Sequence, residues 1–295
     1  MWLVNGVFIF YTISGYVTML STERGSEKFM VKRLIKIFPI YWFLTFATFA
    51  AMKIVPSAFP YNPSFAELLK SLFLIPYAHQ STDTASAMYP IVSMGHTIQT
   101  TMLYYLVFWG MAKLSHSKRG LLSSIVIVVI VMCGYFFKPV SVFLKFYLKP
   151  DLIFFIAGII AYYICKLKVW QKVNLSTWMF ILTGVIFVIT MCYHNKYMLF
   201  VLILLLMCTT ILSGNVKALN TCLFKKVTIM GNWTFSYFLI HLYIVRFAEL
   251  FGGIQFTFKA VICDLVAIVV AWGISYVLYE LIEKRFTNYL KERLL

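Results

Sequence analysis

The sequence predicts an all-α, polytopic integral membrane protein, and three observations predict it. Of its 295 residues, 62% are apolar and 12% charged, with a mean hydropathy of +0.86. A soluble fold has no interior large enough to hold that share. The apolar residues gather into nine runs, each near the roughly 20 residues of helix that cross a bilayer. The net charge is +16, and the bases fall between the runs rather than along one face, which makes them topology signals and excludes nucleic acid as a partner. With 18% aromatic residues and only 10 acidic ones, disorder and coiled coils are excluded too.

In chain order the runs are 2–20, 34–55, 97–114, 121–137, 148–165, 175–193, 197–213, 233–251 and 260–282. Each is bounded by charged or polar residues, and the second follows a basic cluster and carries Pro39 in an early turn. Residues 65–76 are apolar but short and hold Glu67 and Lys70, so they predict an interfacial or re-entrant helix. The whole of 1–295 reads as one transmembrane domain.

Orientation follows from lysine and arginine placement, because cytoplasmic loops carry the excess. Alternate loops hold 18 bases on one side, from Arg24 to Lys36 at the start to Lys284 to Arg293 at the end, against 7 on the other. The C-terminus is therefore expected in the cytoplasm. Nine spans then place the N-terminus outside, whereas a further upstream helix would bring the count to ten and the N-terminus inside. No basic segment precedes the first run and no small-x-small site follows it, so it is not a signal peptide. The six cysteines, Cys133, Cys165, Cys192, Cys208, Cys222 and Cys263, show no CxxC or zinc-like spacing, and neither a disulfide framework nor a metal site is expected.

Four stretches carry more specific information. The first run contains Phe10-Tyr11-Thr12-Ile13-Ser14-Gly15-Tyr16, where the small Ser-Gly pair lets a second backbone approach closely. Next comes Phe29-Met30-Val31-Lys32-Arg33-Leu34-Ile35-Lys36-Ile37-Phe38-Pro39-Ile40-Tyr41, whose bases stand at helical spacing. Gly231-Asn232-Trp233-Thr234-Phe235-Ser236-Tyr237-Phe238-Leu239-Ile240-His241 leads into the eighth run, and Tyr279-Glu280-Leu281-Ile282-Glu283-Lys284-Arg285-Phe286 closes the last.

In this order and topology, the four stretches resemble the acyltransferase-3 membrane proteins over essentially the whole chain. The resemblance implies a ten-helix enzyme of the bacterial inner membrane that moves an acyl group, usually acetyl, from cytoplasmic acyl-CoA to a sugar of a cell-surface polysaccharide. It implies no bound cofactor: acyl-CoA is the donor substrate, and the partners are acyl-CoA, a glycan acceptor and the bilayer, with the oligomeric state left open. Three positions depart from the family pattern. The family's first helix carries an arginine and, about ten residues later, the histidine regarded as catalytic, whereas this chain opens on what resembles the second helix. Thr101 stands where the family often has glutamate, and Arg285 replaces a proline.

Candidate site residues follow, each with an ordinary alternative. Lys32, Arg33 and Lys36 are candidates for gripping the acyl-CoA phosphates, or are positive-inside anchors. His241 falls at mid-span, where an ionisable group is costly, and His96 stands at the outer end of a span. Both are candidates for the catalytic base, or are neutral imidazoles in helix contacts. His79, His116 and His194 are expected to be solvated. Arg246 and Asp264 share a depth in the last hairpin and are expected to form an intramembrane ion pair, with Glu249 as the competing partner of Arg246. Two other functions remain open: an acyl or glycan exporter, and a catalytically degenerate relative kept for assembly. The chain lacks the paired Gly/Pro-broken half-helices of inverted-repeat transporters.

Overall fold

In a bilayer no water pairs with backbone N–H and C=O groups, so a spanning segment must satisfy them internally, and an apolar chain of this kind becomes helical. A computed structural model describes residues 3–23, 25, 27–59, 61–78, 90–167, 177–192, 195–213, 229–253 and 258–294, with no strand among them. His79 and His194 lie outside the described residues. Four helical stretches are long and apolar enough to cross a membrane: Phe29–Ile54, His116–Phe137, Val142–Lys166 and Phe258–Leu294. Three shorter apolar helices, Gly6–Ser21, Ile181–Thr190 and Lys196–Ile211, accompany them. The protein is a multi-pass membrane protein. Its chain divides into two compact units, one of Met1–Phe29 and Thr100–Lys225, the other of Met30–Gln99 and Lys226–Leu295.

The first unit is built on α1 (Leu3–Ser21) and α7 (Ile153–Lys166). The close approach expected at Ser14-Gly15 occurs here. A methyl group on Gly15 would run into the carbonyl of Phe155, and one on Gly158 into the carbonyl of Thr12. Thr12 Oγ1 donates across the seam to Phe154 O at 2.9 Å, and the Phe8 and Phe154 rings stack at 4.3 Å. Small residues thus bring two backbones into contact, which is how helices associate where lipid removes the hydrophobic drive. The unit also holds the end of α4 (Gly95–Gly110), α5 (His116–Phe137), α6 (Val142–Tyr147), α8 (Thr177–Cys192) and α9 (Lys196–Ser213).

Residues 116–120, which the runs 97–114 and 121–137 leave as part of a loop, are instead the start of α5. Buried Arg119 explains the difference: its guanidinium donates to Ala112 O and Leu114 O, both at 2.9 Å, and to Met111 O at 3.3 Å. It satisfies the carbonyls left open where α4 ends, as a cation at a helix C-terminus does. His116, expected in solvent, is half-buried and bonds through Nε2 to Tyr162 Oη at 3.1 Å. That hydroxyl donates to Glu23 Oε1 at 2.6 Å, and Lys166 Nζ lies 2.7 Å from the same oxygen. These two donors hold the Glu23 carboxyl below its ordinary range.

The second unit contains α2 (Phe29–Ile54) from Met30 onward, α3 (Phe65–Leu72), the start of α4, α10 (Thr234–Gly252), α11 (Phe258–Leu278), a π-helical turn at Tyr279–Glu283, and α12 (Lys284–Leu294). The short helix expected near residues 65–76 is α3. Ser64 Oγ accepts from Glu67 N at 3.2 Å while Glu67 Oε2 accepts from Ser64 N at 2.6 Å, the reciprocal capping that fixes a helix start. Ser71 at its end gathers the unit. Tyr41 Oη donates to Ser71 O at 2.9 Å, Ser71 Oγ pairs with Tyr77 Oη at 2.9 Å, and Ile91 N donates to Ser71 Oγ at 3.0 Å. Burial pushes the Tyr61 and Tyr77 hydroxyls above their ordinary range.

Candidate functional site

The two motif stretches nearest the C-terminus meet in the second unit. A helix with one extra residue per turn shifts the phase of the side chains that follow, and such π turns are frequent at functional sites. Here the turn at Tyr279–Glu283 directs Glu283 inward: it is 4% exposed and accepts from Ser236 Oγ at 2.7 Å. Both residues belong to stretches marked in the sequence, although neither stood out there as a site residue. A polar membrane-depth residue in each of two motif stretches was the available signal.

Beside this pair lies a polar cavity of about 220 Å³. Lys36 from α2, Lys284 and Lys291 from the C-terminal helix, Gly231 and Asn232 from the turn ahead of α10, and Glu283 all line it. Lys284 Nζ is held 2.8 Å from Glu280 Oε2. The amines stand with Gly231 and Asn232 of the helical turn that leads into α10, and several cations gathered around one polar cavity favour negative charge there. Of the two carboxylates near them, Glu280 pairs with Lys284 and Glu283 is engaged by Ser236. The arrangement can receive an anion, with phosphate as the best match for several flexible point charges.

Of the three bases singled out for acyl-CoA, Lys36 lines this cavity, while Lys32 and Arg33 do not. Lys284 and Lys291, counted only as topology signals in the sequence, replace them. Sequence spacing groups residues within one helix but cannot bring α2 and α12 together.

His241 stands on α10, half-buried. Its Nδ1 lies 2.8 Å from Phe238 O and 3.2 Å from Tyr237 O. Both neighbours are acceptors, so Nδ1 carries the proton and the neutral ring keeps its lone pair on Nε2. No described residue bonds to Nε2. The ring stacks on Tyr237 at 5.5 Å, and Tyr237 on Trp272 at 4.7 Å, so two aromatic layers fix its plane. His96 is committed differently: Nδ1 lies 2.8 Å from Ser93 O and Nε2 lies 3.3 Å from Thr97 Oγ1. Thr101 is buried in α4.

Arg246, Asp264 and Glu249 are all exposed, and no salt bridge joins them among the described residues. Arg246 is six residues from the end of α10 at Gly252, and Asp264 six from the start of α11 at Phe258. Their facing keeps them apart. Tyr237 packs on Trp272 of α11, and Ile244 and Ala248 border a groove shared with α11. Arg246 is two residues from each of the latter, roughly 200° round a 3.6-residue helix, and so points away from α11.

The acyltransferase-3 family, described as an acyltransferase domain, matches residues 1–280. The exopolysaccharide production protein ExoZ of Rhizobium meliloti (strain 1021) is 28% identical over 159 residues, which are 52% of this chain and 49% of that protein. The chain thus spans about half the length of the curated relative it matches. No solved structure matches it. With a family match that extends through the Ser236 and Tyr237 stretch to the π turn, the chain belongs to the acyltransferase-3 family.

Proposed function

We propose that the protein is a membrane-embedded O-acyltransferase of the bacterial inner membrane that moves an acyl group, acetyl in the simplest case, from cytoplasmic acyl-CoA to a sugar hydroxyl of a surface polysaccharide. In this reading nine segments cross the membrane and the C-terminus is cytoplasmic, so Lys36, Lys284 and Lys291 face the cytoplasm with the basic loops. The observation that carries the proposal is the cavity those amines line beside the buried Ser236 and Glu283 pair, which suits the phosphates of CoA. His241 serves as base: Nε2 takes the proton of the acceptor hydroxyl, the oxygen attacks the thioester carbonyl, and the CoA thiolate leaves, taking up a proton. His241 lies nine residues beyond Asn232 on a continuous helical path, about 13.5 Å at 1.5 Å per residue, so a phosphate held at the cavity leaves room for an extended pantetheine arm between them. The family and the exopolysaccharide relative support the acceptor class.

The test is acyl transfer from radiolabelled acetyl-CoA in proteoliposomes. Replacing Lys36, Lys284 and Lys291 together with Gln is expected to raise the KM for acetyl-CoA about tenfold or more, the scale of losing charge-assisted hydrogen bonds, with kcat changed less. An unchanged KM would remove the cavity from donor binding. His241→Gln is expected to abolish transfer while leaving donor affinity intact.

A further inference from the structure

The first unit holds a cation that the reaction above does not use. After α6 the chain passes through Lys149 into a 3₁₀ turn at Pro150–Leu152. The Lys149 side chain turns into the unit, where Nζ donates to Thr100 Oγ1 at 2.9 Å. It lies 4.4 Å from the centre of the Phe146 ring and 5.9 Å from that of Tyr11. Thr100 is five residues into α4, so the amine sits about 7.5 Å below the helix end. The nearest carboxylate in the chain, Asp151, is engaged by Lys196 at 2.8 Å. An ammonium has three N–H donors. Among the described residues it has one hydroxyl acceptor, two ring faces and no carboxylate within contact, since Asp151 acts on it only through space; an ammonium with spare donors at membrane depth marks function by default.

A second orphan lies one helical turn further along α4, on the face of Thr100. Tyr104 is fully buried, and its Oη has no hydrogen-bond partner among the described residues. Its ring meets Tyr11 edge-on at 5.5 Å and stacks on Phe155 at 4.3 Å, so the hydroxyl cannot swing out to water. An ammonium with spare donors and a hydroxyl with a spare proton, walled by aromatic rings, together lack one thing: an anionic acceptor.

We propose that Lys149 and Tyr104 form a subsite for an anionic oxygen group, and that the group is the carboxylate of an acidic sugar in the acceptor glycan. The aromatic walls of Phe146 and Tyr11 suit the apolar face of a pyranose ring, and the carboxylate supplies the charge and the acceptor oxygens that the cluster lacks. This rests on the acyltransferase reading for the identity of the acceptor, but binding can be measured without a donor, so the two stand or fall separately.

The experiment is binding to the purified full chain in phosphatidylcholine nanodiscs, comparing cellotetraose with its C6-oxidised tetraglucuronate, which differ only in carboxylates. The acidic tetrasaccharide is expected to bind at least tenfold more tightly. Lys149→Gln should erase that preference, Lys149→Arg should keep most of it, and Tyr104→Phe should reduce it about fivefold. Tyr104→Phe removes one oxygen without a charge, so it keeps the test decisive should Lys149→Gln fail to fold. Equal binding of the two probes, or a preference that survives both Lys149→Gln and Tyr104→Phe, would overturn the proposal. Loss of the preference when phosphatidylglycerol replaces phosphatidylcholine would assign the subsite to a lipid headgroup and overturn the sugar.

Discussion

The α1 and α7 pair of the first unit and the α10 and α11 hairpin of the second are both helix pairs in an apolar chain, yet they are held by opposite means. In the first, glycines at 15 and 158 remove side chains so that backbones touch, and Thr12 bonds directly to a carbonyl of the other helix. In the second, α11 offers Ala260, Ala267, Ala271 and Ser275 along its buried stripe, while Tyr237 stacked on Trp272 and Trp233 set edge-on against it fill the remaining gap with rings. A backbone seam tolerates no added atom and has one geometry. A ring-filled seam can hold polar groups in its gaps, and there the buried Ser236 and Glu283 pair and His241 are found.

The contrast breaks most sharply at Gly158. Gly158→Leu would press a branched side chain into the Thr12 carbonyl, and a loss of about 3 kcal/mol or more in stability is expected, seen as poor accumulation and early thermal aggregation in detergent. Gly184→Leu in α8, where nothing lies within 4 Å, is expected to change neither. Equal effects at the two glycines would mean that α1 and α7 are not in backbone contact.

A smaller effect is expected in the ring-filled seam. Glu283→Leu leaves the Ser236 hydroxyl buried without its acceptor, at a cost of about 1–3 kcal/mol, whereas Glu283→Gln keeps an acceptor oxygen and should retain most of the thermal midpoint. Indistinguishable midpoints for the two variants would show that the hydrogen bond does not hold the π turn.

The smallest effect is expected at Arg246. Because it is exposed and faces away from α11, Arg246→Ala should shift stability by no more than about 0.5 kcal/mol. A larger drop that Asp264→Asn partly restores would return the two charges to one ion pair and redraw the hairpin.

These regions also mark what could be read in advance. Apolar run length located the helices, and Ser14-Gly15 announced its seam because a gap in side-chain volume is written directly in sequence. Glu67, three residues after Ser64, likewise carried the start of α3 in a local pattern. Azimuth was not legible: Arg246 and Asp264 stand equally far from the ends of their helices, but 100° per residue over several residues turns one of them away. Charge misled at Arg119, which reads as a loop residue and is buried because the end of α4 leaves carbonyls to fill. Lys284 and Lys291 stayed invisible as site residues, since only tertiary contact sets them beside Lys36.

The π turn at Tyr279–Glu283 has a consequence for evolution by insertion and deletion. One extra residue in a turn advances everything after it by about 100° without breaking the rod. From Phe258 to Leu294 the helix therefore behaves as two gears on one shaft, an apolar one set against α10 and an amphipathic one bearing Lys284 and Lys291. Losing a single codon here would keep every residue type and every helix, yet rotate the second gear out of mesh with the first.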